Sequence, residues 1–99
     1  MAEIVWSSEA ETNLSSIHAY IAHDNPAVAD RIIEDLVKSA ERLREFPASG
    51  RSVEELREQG VREIIVAPYH IAYDVVGDIV EILKVWHGKR LLRPEEFRA

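Results

Sequence analysis

The chain has 99 residues, 46% of them apolar, which suits one domain spanning residues 1–99 around a single core. Its 18 acids against 12 bases give a formal charge of -6, which excludes a surface that is cationic all over and traps nucleic acid by charge alone. The lack of cysteine excludes disulfides, thiolate zinc sites and a cysteine nucleophile.

The N-terminal run Met1 to Trp6 has no basic segment followed by an apolar stretch, and no run approaches the roughly 18 apolar residues of a membrane span. A soluble, unprocessed, cytoplasmic protein is expected. Glu3 to Trp6 reads as a short strand. Ser8 and Glu11 form an S-x-x-E capping box that opens a helix, in which Ala10, Leu14, Ile17 and Ile21 share one stripe. The helix ends near His23, and Asp24-Asn25-Pro26 starts another, since Asp or Asn can cap and Pro costs nothing in the first turn. Ala29, Ile32, Ile33, Leu36, Ala40 and Leu43 give this second helix a long apolar stripe ending at Phe46-Pro47. The segment from Pro47 to Gly60 reads as a loop with one helical turn, and as the most mobile part of the chain.

From Val61 onward the pattern changes to β-branched and aromatic residues. Ile64 to Val66, Ile71 to Tyr73 and Ile79 to Leu83 are expected to form three strands, reversed at Pro68-Tyr69 and at the Gly77-Asp78 turn. On the middle strand Tyr69, Ile71, Tyr73 and Val75 form an apolar face. The last strand does not alternate cleanly, with Glu81 and Lys84 on opposite faces, so its inner face is undecided. The expected fold class is α+β: a helical hairpin packed on one face of an antiparallel sheet, with the other face partly open and a short tail that frays or docks through Phe97.

Charge is distributed unevenly. Residues 1–46 carry nine acids and four bases, whereas residues 84–98 carry five bases and two acids. The C-terminal end is therefore the part suited to a negatively charged partner, and the acidic half to solvent or a basic protein.

His18, His23, His70 and His87 do not show the H-x-x-x-H spacing of a helical metal site, and no nucleotide-binding or G-x-S-x-G motif is present. No cofactor or metal is expected. The residues able to carry chemistry are Arg62, Tyr69, Tyr73, His87, Lys89 and Arg90 on or beside the strands, with Arg51 in the preceding loop. Cations can stabilise a phosphorane-like charge, tyrosine can stack on a base and histidine can move a proton near neutral pH. Set against this, Tyr69 and Tyr73 share an apolar face that suits the core, and Arg62 can equally pair with Glu63 or Glu81. His87 adjoins Gly88 at a strand end, where a side chain is easily exposed.

Several segments, taken in order, carry a resemblance: Trp6 before a Ser-capped acidic helix, Tyr20-Ile21-Ala22 leading to Asn25-Pro26, Phe46-Pro47 with Gly50-Arg51, Arg62-Glu63-Ile64, Tyr69-His70-Ile71-Ala72-Tyr73, and Val85-Trp86-His87-Gly88-Lys89-Arg90. In these the chain resembles the RelE/ParE superfamily of toxins from type II toxin-antitoxin systems over nearly its whole length. The resemblance implies a β-α-α-β-β-β fold and a hetero-oligomer with a cognate antitoxin, with no membrane partner. It also implies one of two targets. The RelE branch cleaves mRNA on the ribosome without metal; there Arg62 would be a phosphate stabiliser and His87 a general acid or base, with Arg51 and Arg90 as further phosphate contacts. The ParE branch poisons DNA gyrase, and with either target Arg51, Lys89, Arg90 and Arg93 would be target-binding residues. The acidic balance and the His-Gly-Lys-Arg close resemble the ParE side, so a growth-inhibiting DNA gyrase toxin is the favoured expectation. The alternatives are a metal-independent mRNA endonuclease and a non-toxic relic that only binds the antitoxin. The open sheet edge, with apolar residues the helices cannot cover, is where an antitoxin segment is expected to dock.

Overall fold

A computed structural model describes residues 1–88 and Glu95. Strand β1 (Glu3–Trp6) runs into helix α1 (Ser8–Ala22), and the cap between them is Ser7, one residue earlier than the S-x-x-E spacing suggests. The Ser7 hydroxyl accepts from the Ala10 amide at 3.0 Å and donates to the Leu83 carbonyl at 3.0 Å, tying the helix start to the last strand. Position 7 wins because it can satisfy a helix amide and a strand carbonyl at once.

Helix α2 (Pro26–Glu41) begins as expected, with Asn25 Oδ1 accepting from the Val28 amide and Pro26 in the first turn. It ends earlier than Phe46 as an α-helix, tightening into a 3-10 turn at Arg42–Arg44. The apolar stripe nevertheless runs through the change of pitch: Ala29, Leu36, Ala40 and Leu43 are all buried, with Ile32 and Ile33 packed alongside. Burial of each large aliphatic side chain in this stripe contributes about 1.5–3 kcal/mol relative to exposure.

The sheet contains β1, β2 (Arg51–Ser52), β3 (Arg62–Val66), β4 (Tyr69–Val76) and β5 (Ile79–His87), in the spatial order β1-β5-β4-β3-β2. Four of the strands pair antiparallel, but β1 lies parallel to β5, with Ile4 opposite Val80 and Trp6 opposite Ile82. The helix following β1 makes this possible, because the chain leaves the end of β1 and returns across one face before building the rest of the sheet. Both expected reversals are present; Gly77 at the β4–β5 turn has φ +62°, a conformation that favours glycine.

The imperfect alternation of β5 has a definite cause. Ala72 pairs with Lys84 but its neighbour Tyr73 pairs with Ile82, so Leu83 is an extra residue on β5, forming a bulge. Val80 and Ile82 before the bulge, and Val85 after it, all reach the core beneath the helices with Ile71 and Tyr73.

The face away from the helices is covered in part by the segment expected to be a mobile loop. It forms β2 and an irregular 3-10 stretch at Glu54–Gln59, and its Val53 and Leu56 pack with Val61, Ala72 and Trp86 into a second core. Leu56 is the buried anchor within an otherwise charged run.

Candidate functional site

The loop from Pro47 to Arg51 is fixed from below by two side chains. The Tyr73 hydroxyl accepts from the Gly50 amide and donates to the Pro47 carbonyl, each at 2.8 Å. Burial pushes the Tyr73 phenol upward from its ordinary range, which keeps the donor protonated. Tyr73 is fully buried and so belongs to the core; Tyr69 packs partly buried against the same core and meets His87 edge-on, with ring centroids 5.7 Å apart. Arg62 donates through Nη1 to the Gly50 carbonyl at 2.8 Å and lies 3.5 Å from the Ala48 carbonyl. Its partners are backbone oxygens of the loop, not the Glu63 or Glu81 carboxylates. Gly50 itself sits against β3 so closely that an added Cβ would stand 2.7 Å from the Glu63 carbonyl oxygen.

On the other face Arg51, Glu63, His70 and Trp86 form a row across four strands. The Glu63 carboxylate is buried and accepts from Arg51 Nε at 2.8 Å, while His70 Nδ1 lies 3.3 Å from its other oxygen. The His70 ring stacks at a tilt on Trp86, with centroids 5.3 Å apart, and its Nε2 would be 2.7 Å from a Cβ at Gly88. This row was hidden in the sequence, because Glu63 and His70 meet only once the Pro68 turn sets the β3–β4 register.

The two residues that metal-free phosphodiester chemistry would use are not brought together. Arg62 pairs with Tyr73 on β4, and His87 pairs with Tyr69. They are thus separated by about 13 Å along the strands and by two strand spacings of about 4.8 Å across the sheet. Arg51 lies with Glu63, on the face opposite the loop that Arg62 holds. Lys89, Arg90 and Arg93, and the expected docking residue Phe97, lie outside the described residues. No group of His, Asp and Glu is placed to hold a metal ion among the described residues, and no described helix is long and apolar enough to cross a membrane.

Beside this framework lies a cleft of about 480 Å³ between the end of α2 and the edge of β3, lined by Arg42, Phe46, Gly50, Arg51, Ile64 and Ile65 among others. Phe46 and Ile65 are more than half exposed there, at 59% and 52%.

Comparison with known proteins matches residues 4–92 to the family described as ParE toxin of type II toxin-antitoxin system, parDE. Toxin RelE2 of Caulobacter vibrioides is 36% identical over 92 residues, covering 92% of this chain and all of that protein. The protein Y4kP of Sinorhizobium fredii is 40% identical over 87 residues, 86% of each chain. A solved structure of the chromosomal ParDE system from P. aeruginosa shares the fold, with a TM-score of 0.74 and 24% identity, covering 88% of this chain and 96% of that one.

Proposed function

Because the chain belongs to the ParE toxin family of type II toxin-antitoxin systems, we propose that it arrests growth by acting on DNA gyrase and that a cognate antitoxin holds it inactive as a hetero-oligomer. The toxin role and the antitoxin partner are properties of the family. The choice of gyrase rests on one observation above others: the separation of Arg62 from His87 and the engagement of Arg62 with the Ala48 and Gly50 carbonyls. A phosphodiester-cleaving site needs its proton-transfer group and its phosphate-stabilising cation around one reacting atom. Here the two groups stand at different ends of the sheet. The net charge of -6 supports the same reading, since the ribosome is a strongly anionic surface. On this reading the toxin acts by binding, and its basic C-terminal residues Lys89, Arg90 and Arg93 supply contacts to the target.

A second reading, mRNA cleavage on the ribosome, is favoured by the relative that bears the RelE name at 36% identity and by the exposed position of His87. Induction of the chain without antitoxin separates the two. A gyrase toxin gives filamentous cells with a DNA damage response and intact mRNA, inhibits supercoiling by purified gyrase, and retains both effects in His87→Ala. Cut mRNA together with growth restored by His87→Ala overturns the gyrase assignment. Normal growth of cells holding the folded protein would mark a chain that only binds its antitoxin.

A further inference from the structure

The outer face of the sheet is covered at one end only. The segment laid over it packs on Ala72 and Trp86, with Leu83 at its margin. Past that margin β1, β5 and β4 continue with outward side chains that are exposed or half-buried. Ile4, Tyr73, Val80 and Ile82 turn inward to the core beneath the helices, so strand alternation turns Glu3, Val5, Asp74, Val76, Ile79 and Glu81 outward. The register sets these six in two rows across three strands. Glu3, Ile79 and Val76 form one row, and Val5, Glu81 and Asp74 the next.

The rows mix two kinds of side chain. Val5, Ile79 and Val76 leave aliphatic surface in water, 39%, 38% and 66% exposed. The other three are carboxylates, and none of them makes an ion pair among the described residues. Asp74 and Glu81 stand directly opposite each other on β4 and β5, an arrangement of like charges that weakens a sheet. One Asp74 oxygen is buried without a donor. A cation brought from outside relieves that repulsion, and the aliphatic stem of a lysine or arginine packs on the valines and isoleucine beside it.

We propose that this face is the surface by which the toxin docks on gyrase, and that its occupant is a lysine- and arginine-bearing protein surface of the kind that otherwise holds DNA. This rests on the gyrase reading given above and adds to it the place and the charge of the contact. A protein that grips DNA must present cations to the phosphates. A chain of net charge -6 that sets carboxylates among aliphatic side chains is complementary to such a surface. The patch lies at the end of β5 away from Gly88, so it is separate from the basic residues that follow Gly88 in the sequence.

The test uses the full-length toxin with purified gyrase, read as inhibition of supercoiling and as direct binding at low and moderate salt. Glu81→Lys and Val76→Lys are each expected to raise the toxin concentration for half-inhibition about tenfold or more. Asp35→Lys, the same charge reversal as Glu81→Lys at an exposed position of α2, should leave it unchanged. Both patch variants should bind the antitoxin with wild-type affinity, which shows that they are folded. Wild-type binding to gyrase should weaken with salt and in competition with linear duplex DNA. Carbodiimide coupling of the wild-type complex should join Glu3, Asp74 or Glu81 to gyrase lysines; this needs no variant and decides the matter if a substitution unfolds the chain. Inhibition at wild-type concentrations by both patch variants overturns the proposal and leaves the gyrase reading intact, as do cross-links confined to other carboxylates. A wild-type chain that neither binds nor inhibits gyrase refutes that reading and this docking surface with it. Self-association lost in Val76→Lys, or antitoxin affinity lost in both variants, with inhibition unchanged, would give the face to a second copy of the chain or to the antitoxin and overturn the proposal.

Discussion

The hydroxyl of Tyr73 meets the backbone amide of Gly50 across 23 positions of sequence, at 2.8 Å, inside the core. The same oxygen donates to the Pro47 carbonyl, so one side chain satisfies a donor and an acceptor of a loop that lacks regular pairing. Tyr73→Phe leaves the ring in place and orphans both backbone groups. A loss of about 1–3 kcal/mol follows from stranding buried polar groups, read as a lower midpoint in urea with an unchanged slope. A loss below about 0.5 kcal/mol would mean that water replaces the hydroxyl and that the loop is not held from below.

Gly50 is the counterpart of that contact. A methyl group there would stand 2.5 Å from the Tyr73 oxygen and 2.7 Å from the Glu63 carbonyl, and the second of these is backbone that cannot swing aside. Gly50→Ala is therefore expected to destabilise by about 1–3 kcal/mol, the usual range for overpacking, and to displace Arg51 from Glu63. A thermal melt that matches wild type would show that β2 yields easily.

Much of the fold could be read from residue patterns, and the failures have physical causes. The α2 stripe from Ala29 to Leu43 was legible because a 3.6-residue period survives even where the helix tightens. The β4–β5 reversal was legible because Gly77 needs positive φ. The parallel pairing of β1 was not, since four residues carry no mark of strand direction. The bulge at Leu83 disrupted the alternation on which a face assignment depends. The cover over the outer face rests on Val53, Leu56 and Val61 around a run of charges, which looks like solvent-exposed loop in any window. At the candidate site, reasoning from charge pairs offered Arg62 the carboxylates of Glu63 and Glu81. Its acceptors are carbonyl groups, present at every residue and so silent in the sequence.

The role of Arg62 can be separated from that of His87. Arg62→Ala removes hydrogen bonds to the Pro47–Arg51 loop and should cost about 1–2 kcal/mol in stability, with toxicity falling only as far as the folded population falls. His87→Ala removes the edge-on ring contact with Tyr69 and should cost no more than about 0.5–1.5 kcal/mol in stability, with the growth arrest unchanged. Measuring stability and toxicity on the same preparations decides the matter. Loss of toxicity in both variants, with native melting curves, would place the two residues in a common reaction and favour RNA cleavage.

Asp74 lies on β4 opposite Glu81, with one carboxylate oxygen buried and without a hydrogen-bond partner among the described residues. Burial pushes its carboxyl above the ordinary aspartate range, so the folded chain holds that proton more tightly than the unfolded chain does. The sign follows from linkage: below the unfolded pKa both states are protonated and the group costs nothing, whereas above the raised folded pKa the charge weakens the fold. Asp74→Asn removes that charge at nearly constant shape. It is expected to raise stability at pH 7 by about 1 kcal/mol, the low end for a partly exposed group, or roughly 4 °C in a domain of this size. The gain should shrink as the pH falls through the carboxylate range and vanish once wild-type Asp74 is protonated in both states. A gain that persists unchanged in acid would come from packing instead, and no gain at pH 7 would show that the carboxylate finds a donor in solution.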